Sequence, residues 1–434
     1  MPQDQSNHWV TTSIIYQLFA GRLQDANILD HQGQVFSRLQ SINLQPLLDQ
    51  GINCLYLLGV WDNRGPIIVG EEAGHDLSHQ KYRLPSPFAI SNHQLVNPDL
   101  GSNPDLSALI GTWHQAGFKV ILDFVPNHTS TVHPWVKEHP EYYHQKDGNH
   151  IAEFSRDVYK LDYGNPQLVE AMLQVLLTIA DLGADGVRCD MAHLIPIEFW
   201  QRATKEIRDH FPNFVFTAEV YPDSPFDLSM LHHHLKAGFD AVYHGPLYNN
   251  LKGVISQHQP ISNLINHINF VSSDFAPFSL INYLANHDDP LPVGGANYLE
   301  ALLALILFLP GIPFIYNGLL AGLDRRLAHH YFDLLPPEHF DPAHLSDNIK
   351  ALFQLRRQHH FLITTTQVTD TGLLVCQLTN HTNSNFLVLN LTPDPQPLTT
   401  ITPASSDHLT SPGLIHALSP SDTLPSGSAE IFTS

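Results

Sequence analysis

The chain has 434 residues, with 42 acidic and 21 basic side chains and a formal charge of −21. That excess of acid argues against nucleic acid or an anionic membrane as the main partner and leaves a neutral substrate as the better fit. The length exceeds one ordinary core, and 43% apolar residues suffice for a large domain with a smaller one beside it.

Short apolar strands alternate with helical stretches through most of the chain. In order, IIYQLF (14–19), CLYLLG (54–59), KVILDFV (119–125), DGVRCD (185–190), FVFTAEV (214–220), FDAVYH (239–244), SLINYLA (279–285) and IPFIYNG (312–318) read as strands. Helical periods fall between them, as in VEAMLQVLLTIADLG, PIEFWQRATKEIRDHF and YLEALLALILFL. Eight strands separated by helices predict an α/β fold of the (β/α)8 TIM barrel type. A doubly wound open sheet is the alternative, but no GxGxxG follows the first strand.

Two segments break the rhythm. Residues 130–165 are rich in His and Tyr and lack a long helical period, which predicts a short inserted subdomain after strand three. The catalytic barrel then comprises 1–129 and 166–361, with LPPEHFDPAHLSD (335–347) as a loop and NIKALFQLRRQHHF as the last barrel helix. From 362 to 434 strand-like alternation returns between turn residues, predicting a C-terminal all-β sandwich domain.

The three cysteines, Cys54, Cys189 and Cys376, are widely separated and imply no disulfide framework. The opening MPQDQSNHWVTT has no basic stretch followed by an apolar one, so a cytoplasmic protein is expected. The run ALLALILFLPGIPFIY is broken by Pro310 and Pro313 and is too short for a clean membrane span. No motif sets an oligomeric state.

GADGVRCDMAH (183–193) carries Arg188 and Asp190 in an otherwise apolar strand. Alternate residues of a strand share a face, so Gly186, Arg188 and Asp190 point one way and Asp185, Val187 and Cys189 the other. Such a pair is either a buried structural ion pair or a carboxylate held ionised as a nucleophile. The rest of the chain favours the second reading. Polar residues recur at the C-terminal ends of four strands: Asp123, Asn127 and His128 after the third, Arg188 and Asp190 at the fourth, Glu219 at the fifth, and Asn286, His287 and Asp288 after the seventh. That rim is where such barrels assemble their chemistry.

Three acids around one mouth suit glycoside hydrolysis, in which one carboxylate attacks the anomeric carbon and another protonates the departing oxygen. Asp190, beside Arg188, is the expected low-pKa nucleophile. Glu219, with no cation close in sequence, is the expected acid, and later the base that activates water or a sugar hydroxyl.

The motifs DFVPNH (123–128), GVRCD (186–190), TAEVY (217–221) and NHDD (286–289), supported by SPFAISNHQLVNPDLG, KLDYGNP and GIPFIYNG, resemble those of the α-amylase family of retaining α-glucosidases and glucanotransferases. The resemblance runs from IIYQLF to the C-terminal β domain. It implies Asp190 as nucleophile, Glu219 as acid/base, and Asp288 as the group that binds ring hydroxyls and favours the distorted, oxocarbenium-like sugar. It implies that His128 and His287 hydrogen-bond that sugar, that Arg188 orients Asp190, and that Asp123 supports the site from behind. Phe88 stands where the family usually has a stacking Tyr.

The implied activity is cleavage of α-1,4-glucosidic bonds in malto-oligosaccharides or starch-like glucans through a covalent glycosyl-enzyme. The rivals are a transglycosidase, either a 4-α-glucanotransferase or a sucrose- or trehalose-acting enzyme, and a catalytically silent glucan-binding relative. The expected partner is a neutral α-glucan or oligosaccharide.

Departures from the family pattern bear on detail. His193 and Leu194 stand where a Lys-His pair often touches the leaving group, and Leu319 and Leu320 where Gln-Glu often follows Y-x-G. Asn127 matches a family calcium ligand and is a weak calcium candidate, but Lys160 occupies the place of the expected Asp, so no cofactor is required and a structural calcium is doubtful.

Weaker signals are set aside. The His232–His234 triplet points in different directions on a helix and makes a poor metal site. The sequons at Asn127 and Asn380 carry little weight. Trp61, Trp135, Tyr142 and Tyr143 are read either as sugar-stacking groups or as packing for the insertion.

Overall fold

The computed structural model describes residues 9–23, 25–67, 84–153, 156–222, 227–274, 279–321, 346–359, 362–379, 384–398 and 423–433. Asn380, most of the 335–347 loop and the end of the 348–361 stretch lie outside them.

All eight predicted barrel strands are present. They are β1 (Ile15–Phe19), β2 (Cys54–Leu58), β3 (Lys119–Phe124), β4 (Gly186–Cys189), β5 (Val215–Ala218), β6 (Ala241–Tyr243), β7 (Leu280–Tyr283) and β8 (Ile312–Tyr316). They close in sequence order into a barrel, with β8 parallel to β1. Residues on both faces of β1 and β2 are buried, because helices cover the outside while side chains fill the inside.

Local signals set the helices. Asn103–Ala116 starts at a capping box between Ser102 and Asp105 and stops at Gly117, whose φ is 107°. Pro166–Asp181 starts where the Asn165 side chain accepts from the amides of Gln167 and Leu168. Ile197–His210 buries Phe199, Trp200, Ala203, Thr204 and Ile207, one stripe of a helix. Leu299–Phe308 is the exception, buried from Ala301 to Phe308. No helix among the described residues is long and apolar enough to cross a membrane.

Two aspartates tie neighbouring strands together where they begin. Asp185, just before β4, accepts the Val120 amide at 2.9 Å and the Lys119 ammonium at 2.7 Å. Asp240, just before β6, accepts the Phe216 amide at 2.8 Å and Arg208 at 2.6 Å. Charge at this end of the barrel holds strand register, and the end where β3, β4, β5 and β7 finish is left for chemistry.

The 130–165 region contains the short helix Trp135–Glu138 and the hairpin Gln145–Lys146/Asn149–His150. Its strand Val158–Lys160 pairs antiparallel with His128–Ser130. The ribbon therefore begins at His128, a candidate site residue.

At the C-terminus, β9 (Leu362–Val368), β10 (Leu374–Thr379), β11 (Ser384–Leu389) and β12 (Ala429–Thr433) form one antiparallel sheet in that order. Alternation gives it two apolar faces. Leu374, Cys376 and Leu378 belong to the core shared with the barrel. Leu373, Val375, Val388 and Phe432 pack under Leu398 and Leu424, which flank or lie on the ribbon Gln396–Pro397/Thr423–Leu424. The C-terminal unit is thus β throughout the described residues, with two layers.

The sheet is joined to the barrel helices by polar bonds. Asn269 exchanges two hydrogen bonds with the Thr366 backbone, and Ala301 donates to the Gly427 carbonyl at 3.0 Å. A Cβ at Gly427 would lie 1.8 Å from the Asn297 carbonyl oxygen, so only glycine allows this approach. All three cysteines are buried and free.

Buried histidines support the rim. The Trp135 amide donates to His133 Nδ1 at 3.1 Å, His133 Nε2 meets His93 Nδ1 at 3.3 Å, and His93 Nε2 meets the Val125 carbonyl at 3.0 Å. An amide at one end and a carbonyl at the other leave one proton per ring, so both imidazoles are neutral. Burial pushes His93 down to about 4 and His133 to about 2. It does the same to the touching pair His244 and His267, down to about 3 and about 4. Unfolded, these rings take up protons below about pH 6.5, while the folded chain resists. Stability is therefore present above that pH and lost as pH falls. The raised carboxyls of Asp123 and Asp190 act in the opposite sense, so the check is the gap in urea midpoint between parent and a His93→Gln variant, which is expected to shift against the parent from pH 6.5 to 4.5; a gap independent of pH would contradict a neutral buried ring.

Candidate active site

The site grows from Arg188. Its neighbours in the barrel register are Asp123 on β3 and Thr217 on β5, so its guanidinium lies between the ends of three strands. The residue is wholly buried. Nη1 donates to Asp123 Oδ1 at 3.1 Å and to Asp190 Oδ1 at 2.8 Å, and Nη2 donates to Glu219 Oε1. One planar cation thus holds three buried carboxylates. Tyr56 on β2 donates to Asp123 Oδ1 at 2.7 Å, and Trp61 Nε1 donates to the Asp123 carbonyl at 2.7 Å. Gly186 is needed two residues earlier, because a Cβ there would lie 2.5 Å from the Val215 carbonyl oxygen on β5.

Asp190 sits one residue past β4, its amide bonded to the Phe124 carbonyl at 2.9 Å. Oδ1 faces Arg188, while the buried Oδ2 has no hydrogen-bond partner among the described residues. Glu219 follows β5 and has more donors. Oε1 also accepts from the Tyr221 hydroxyl at 3.0 Å, and Oε2 accepts from the Met191 amide at 3.0 Å. Met191 has φ of 45°, a left-handed conformation uncommon for a side-chain-bearing residue.

The loop after β7 supplies the third acid. Asn286 accepts the amides of Asp288 and Asp289, at 2.8 and 2.6 Å, and so shapes a tight turn. The Asp288 side chain is 32% exposed, against 7% for Asp190 and 3% for Glu219, and faces the opening. His287 meets Asp288 through Nε2 at 3.1 Å, and its Nδ1 accepts from the Gln17 amide at 2.9 Å. That contact leaves Nε2 as the ring's donor, on the side of Asp288. Glu219, His287 and Asp288 each place a polar atom within 4.8 Å of the others.

The Phe88 ring centre is 5.2 Å from that of His287 and 5.7 Å from the Arg188 guanidinium carbon, so its aromatic face borders the carboxylates. His128 is buried and pushed down to about 4, a neutral ring that can hydrogen-bond a neutral ligand.

Every sequence-predicted site residue except Asn127 thus lies at this rim or supports it, but the electrostatics differ from expectation in two ways. Asp190 is not a low-pKa carboxyl in this site. Burial pushes it well above the ordinary aspartate value; Arg188 pulls it back, while Glu219, Asp123 and Asp288 push it up again. Asp123 is raised by burial in the same way. The cation is present, but three acids share it. Nor does Glu219 lack a cation, because Arg188 reaches it across 31 positions of sequence.

Tyr56, Tyr221 and Gln17 were not singled out from sequence. Gln17 alone had a visible signal, as the one amide in an otherwise apolar strand. Tyr221 stood inside TAEVY without a role. Trp61, Tyr142 and Tyr143 are buried, and Trp135 stacks on His93 at 5.5 Å, so packing wins over sugar stacking for all four. In the histidine triplet, His232 and His233 are exposed while His234 is buried.

The surroundings of Asn127 mix a cation with carboxylates, since Glu153 and the buried Asp157 also act on neighbouring His128. Asn127 is buried with its amide 3.3 Å from His128 Nδ1, which also closes that sequon to modification in the folded chain. The Lys160 ammonium pairs with Glu153 at 3.2 Å on the strand beside His128.

A (β/α)8 barrel whose rim carries three acids on one buried arginine defines the class. Residues 77–149 match the family described as "Alpha amylase, catalytic domain". Among curated relatives, an alpha-1,4-glucan:maltose-1-phosphate maltosyltransferase of Rhodospirillum rubrum is 24% identical over 298 residues, covering 63% of this chain and 41% of the relative. Alpha-amylase 3 of Dictyoglomus thermophilum is 24% identical over 304 residues, covering 62% of this chain and 58% of the relative. This chain therefore spans less than two thirds of either. An alpha-amylase structure from Lactobacillus plantarum shares the fold, with a TM-score of 0.77 at 23% identity over 98% of this chain and 99% of that one. By these matches the chain is similar to members of the α-amylase family, and it shares their fold.

Proposed function

We propose that the protein is a retaining enzyme acting on α-linked glucose, with cleavage of α-1,4 bonds in malto-oligosaccharides or starch-like glucans as its main reaction. The observation that carries this is one guanidinium bound to both Asp190 and Glu219, with Asp190 Oδ2 left without a protein partner. Sharing a cation keeps the two carboxylates close, as a retaining mechanism requires; an inverting one needs room for water between them.

In the first step Asp190 Oδ2 attacks the anomeric carbon. Protonated Glu219 gives its proton to the departing glycosidic oxygen, leaving a β-glucosyl ester on Asp190. In the second, Glu219 takes a proton from water, which displaces Asp190 and restores the α configuration. Asp288, exposed at the opening, and His287, with a proton on Nε2, bind the ring hydroxyls as positive charge develops on the sugar. Phe88 offers a stacking face, and Asp123 holds Arg188 from behind. No step of this reaction is assigned to a metal.

The substrate is a neutral glucan or oligosaccharide, consistent with the charge of −21. The setting proposed is the cytoplasm. A second reading, transfer of the glycosyl group to a sugar hydroxyl, is favoured by the maltosyltransferase among the relatives and by His193 and Leu194 at the leaving-group side. Sucrose- or trehalose-acting enzymes belong to that reading. A silent binding protein is disfavoured because all three acids are in place. Chromatography of maltoheptaose digests over time decides between the first two. Shorter products alone mean hydrolysis, products both longer and shorter mean transfer, and no turnover overturns α-1,4 action.

A further inference from the structure

We infer that Tyr221 is a positioning residue for the proton donor, which makes catalysis depend on its hydroxyl only when the leaving group needs protonation. The inference rests on the proposed role of Glu219.

Glu219 is held at both ends. Its Oε2 is fixed by the Met191 backbone amide, a donor that cannot swing away and is aimed by the left-handed turn at Met191. Its Oε1 is shared by Arg188 and Tyr221. Arg188 is committed to three carboxylates and wholly buried, so it cannot follow Glu219 if that carboxyl turns toward a leaving oxygen. Tyr221 differs, being 36% exposed while Glu219 itself is buried at 2%. Its ring stands edge-on to His193 at 5.9 Å, beside the segment that follows the nucleophile. The hydroxyl therefore ties the buried acid to a residue that reaches the surface beside the segment following the nucleophile. Packing against His193 sets the ring, and the ring sets the hydroxyl.

A hydroxyl in this place does two things. It fixes the carboxyl rotamer so that the proton is delivered along one direction, and it supplies a neutral donor that can stay with Oε1 as the charge on Glu219 changes. Neither matters to a substrate whose leaving group departs unaided. The consequence is a dependence on leaving group that a purely structural tyrosine would not create.

The test is Tyr221→Phe, which keeps the ring and its contact with His193. The kcat/KM of parent and variant is compared on maltoheptaose and on α-glucosyl fluoride, whose fluoride leaves without a full proton transfer. The expected result is a loss of tenfold or more on maltoheptaose, carried by kcat, and less than twofold on the fluoride. Equal losses on both substrates, or no loss on either, would overturn the assignment. A parent enzyme that turns over neither would overturn the glycosidase reading and this inference with it, so the two failures are distinguishable. A Tyr221→Leu variant should behave like Phe on maltoheptaose if the hydroxyl matters, and should lose the fluoride reaction as well only if the ring shapes the site.

Discussion

Replacing Asp190 with Asn is expected to lower kcat on maltoheptaose by roughly 10⁴- to 10⁶-fold, the range seen when a nucleophile is removed, while glucan binding persists. The amide is nearly isosteric with the carboxylate, and its oxygen can still accept from Arg188 Nη1, which now lies 2.8 Å from Oδ1. It cannot form the glycosyl ester. Residual turnover would come from Glu219 and the binding groups acting without a covalent step. Calorimetry with maltoheptaose should give a dissociation constant within a fewfold of the parent's KM. Equal turnover by parent and variant would remove Asp190 from the mechanism. The parent's acid limb should also lie above the ordinary aspartate range, because burial raises this carboxyl and the nucleophile must be ionised to attack.

The second large effect is expected at Arg188. Changing it to Met preserves much of the volume but leaves Asp123, Asp190 and Glu219 buried without their cation. Stranding charge in this way costs about 3–5 kcal/mol. The pH dependence has a definite sign. Asp123 and Asp190 already have folded values above the ordinary aspartate one, and losing Arg188 raises them further. A carboxyl raised by folding destabilises most at high pH and recovers as pH falls through its folded value. The gap in Tm between parent and variant should therefore be widest near pH 8 and close toward pH 5. The buried histidines act alike in both proteins and cancel. Arg188→Lys should recover part of the stability but little activity, because an ammonium lacks the fork that reaches carboxylates on two sides. A gap independent of pH would mean that Arg188 contributes packing alone.

Legibility followed distance along the chain. The strands were readable because each is a short apolar run between turn residues, and barrel closure buries both faces of such runs. The rim acids were readable because a barrel places the ends of successive parallel strands on one side. Phe88 was found through the motif around it, and the structure puts its ring against His287. Tyr56 and Tyr221 were missed because a tyrosine in an apolar strand or behind a motif reads as packing until its hydroxyl is located. The four aromatic candidates near the insertion were undecided for the converse reason, since exposure is not written in sequence.

By itself the sequence determined the parallel barrel, the rim that bears the acids, and the pairing of Arg188 with Asp190, because these follow from periodicity and from neighbours two residues apart. Tertiary structure alone decided who else shares the arginine and which way the histidines face. Arg188 meets Glu219 across 31 positions, Tyr56 meets Asp123 across 67, and Gln17 meets His287 across 270 because closure brings the first strand round to the loop that follows the seventh. It also reversed the expected acidity of Asp190. A sequence names the charge beside a carboxylate, but burial and the division of that charge among three acids are properties of the folded site.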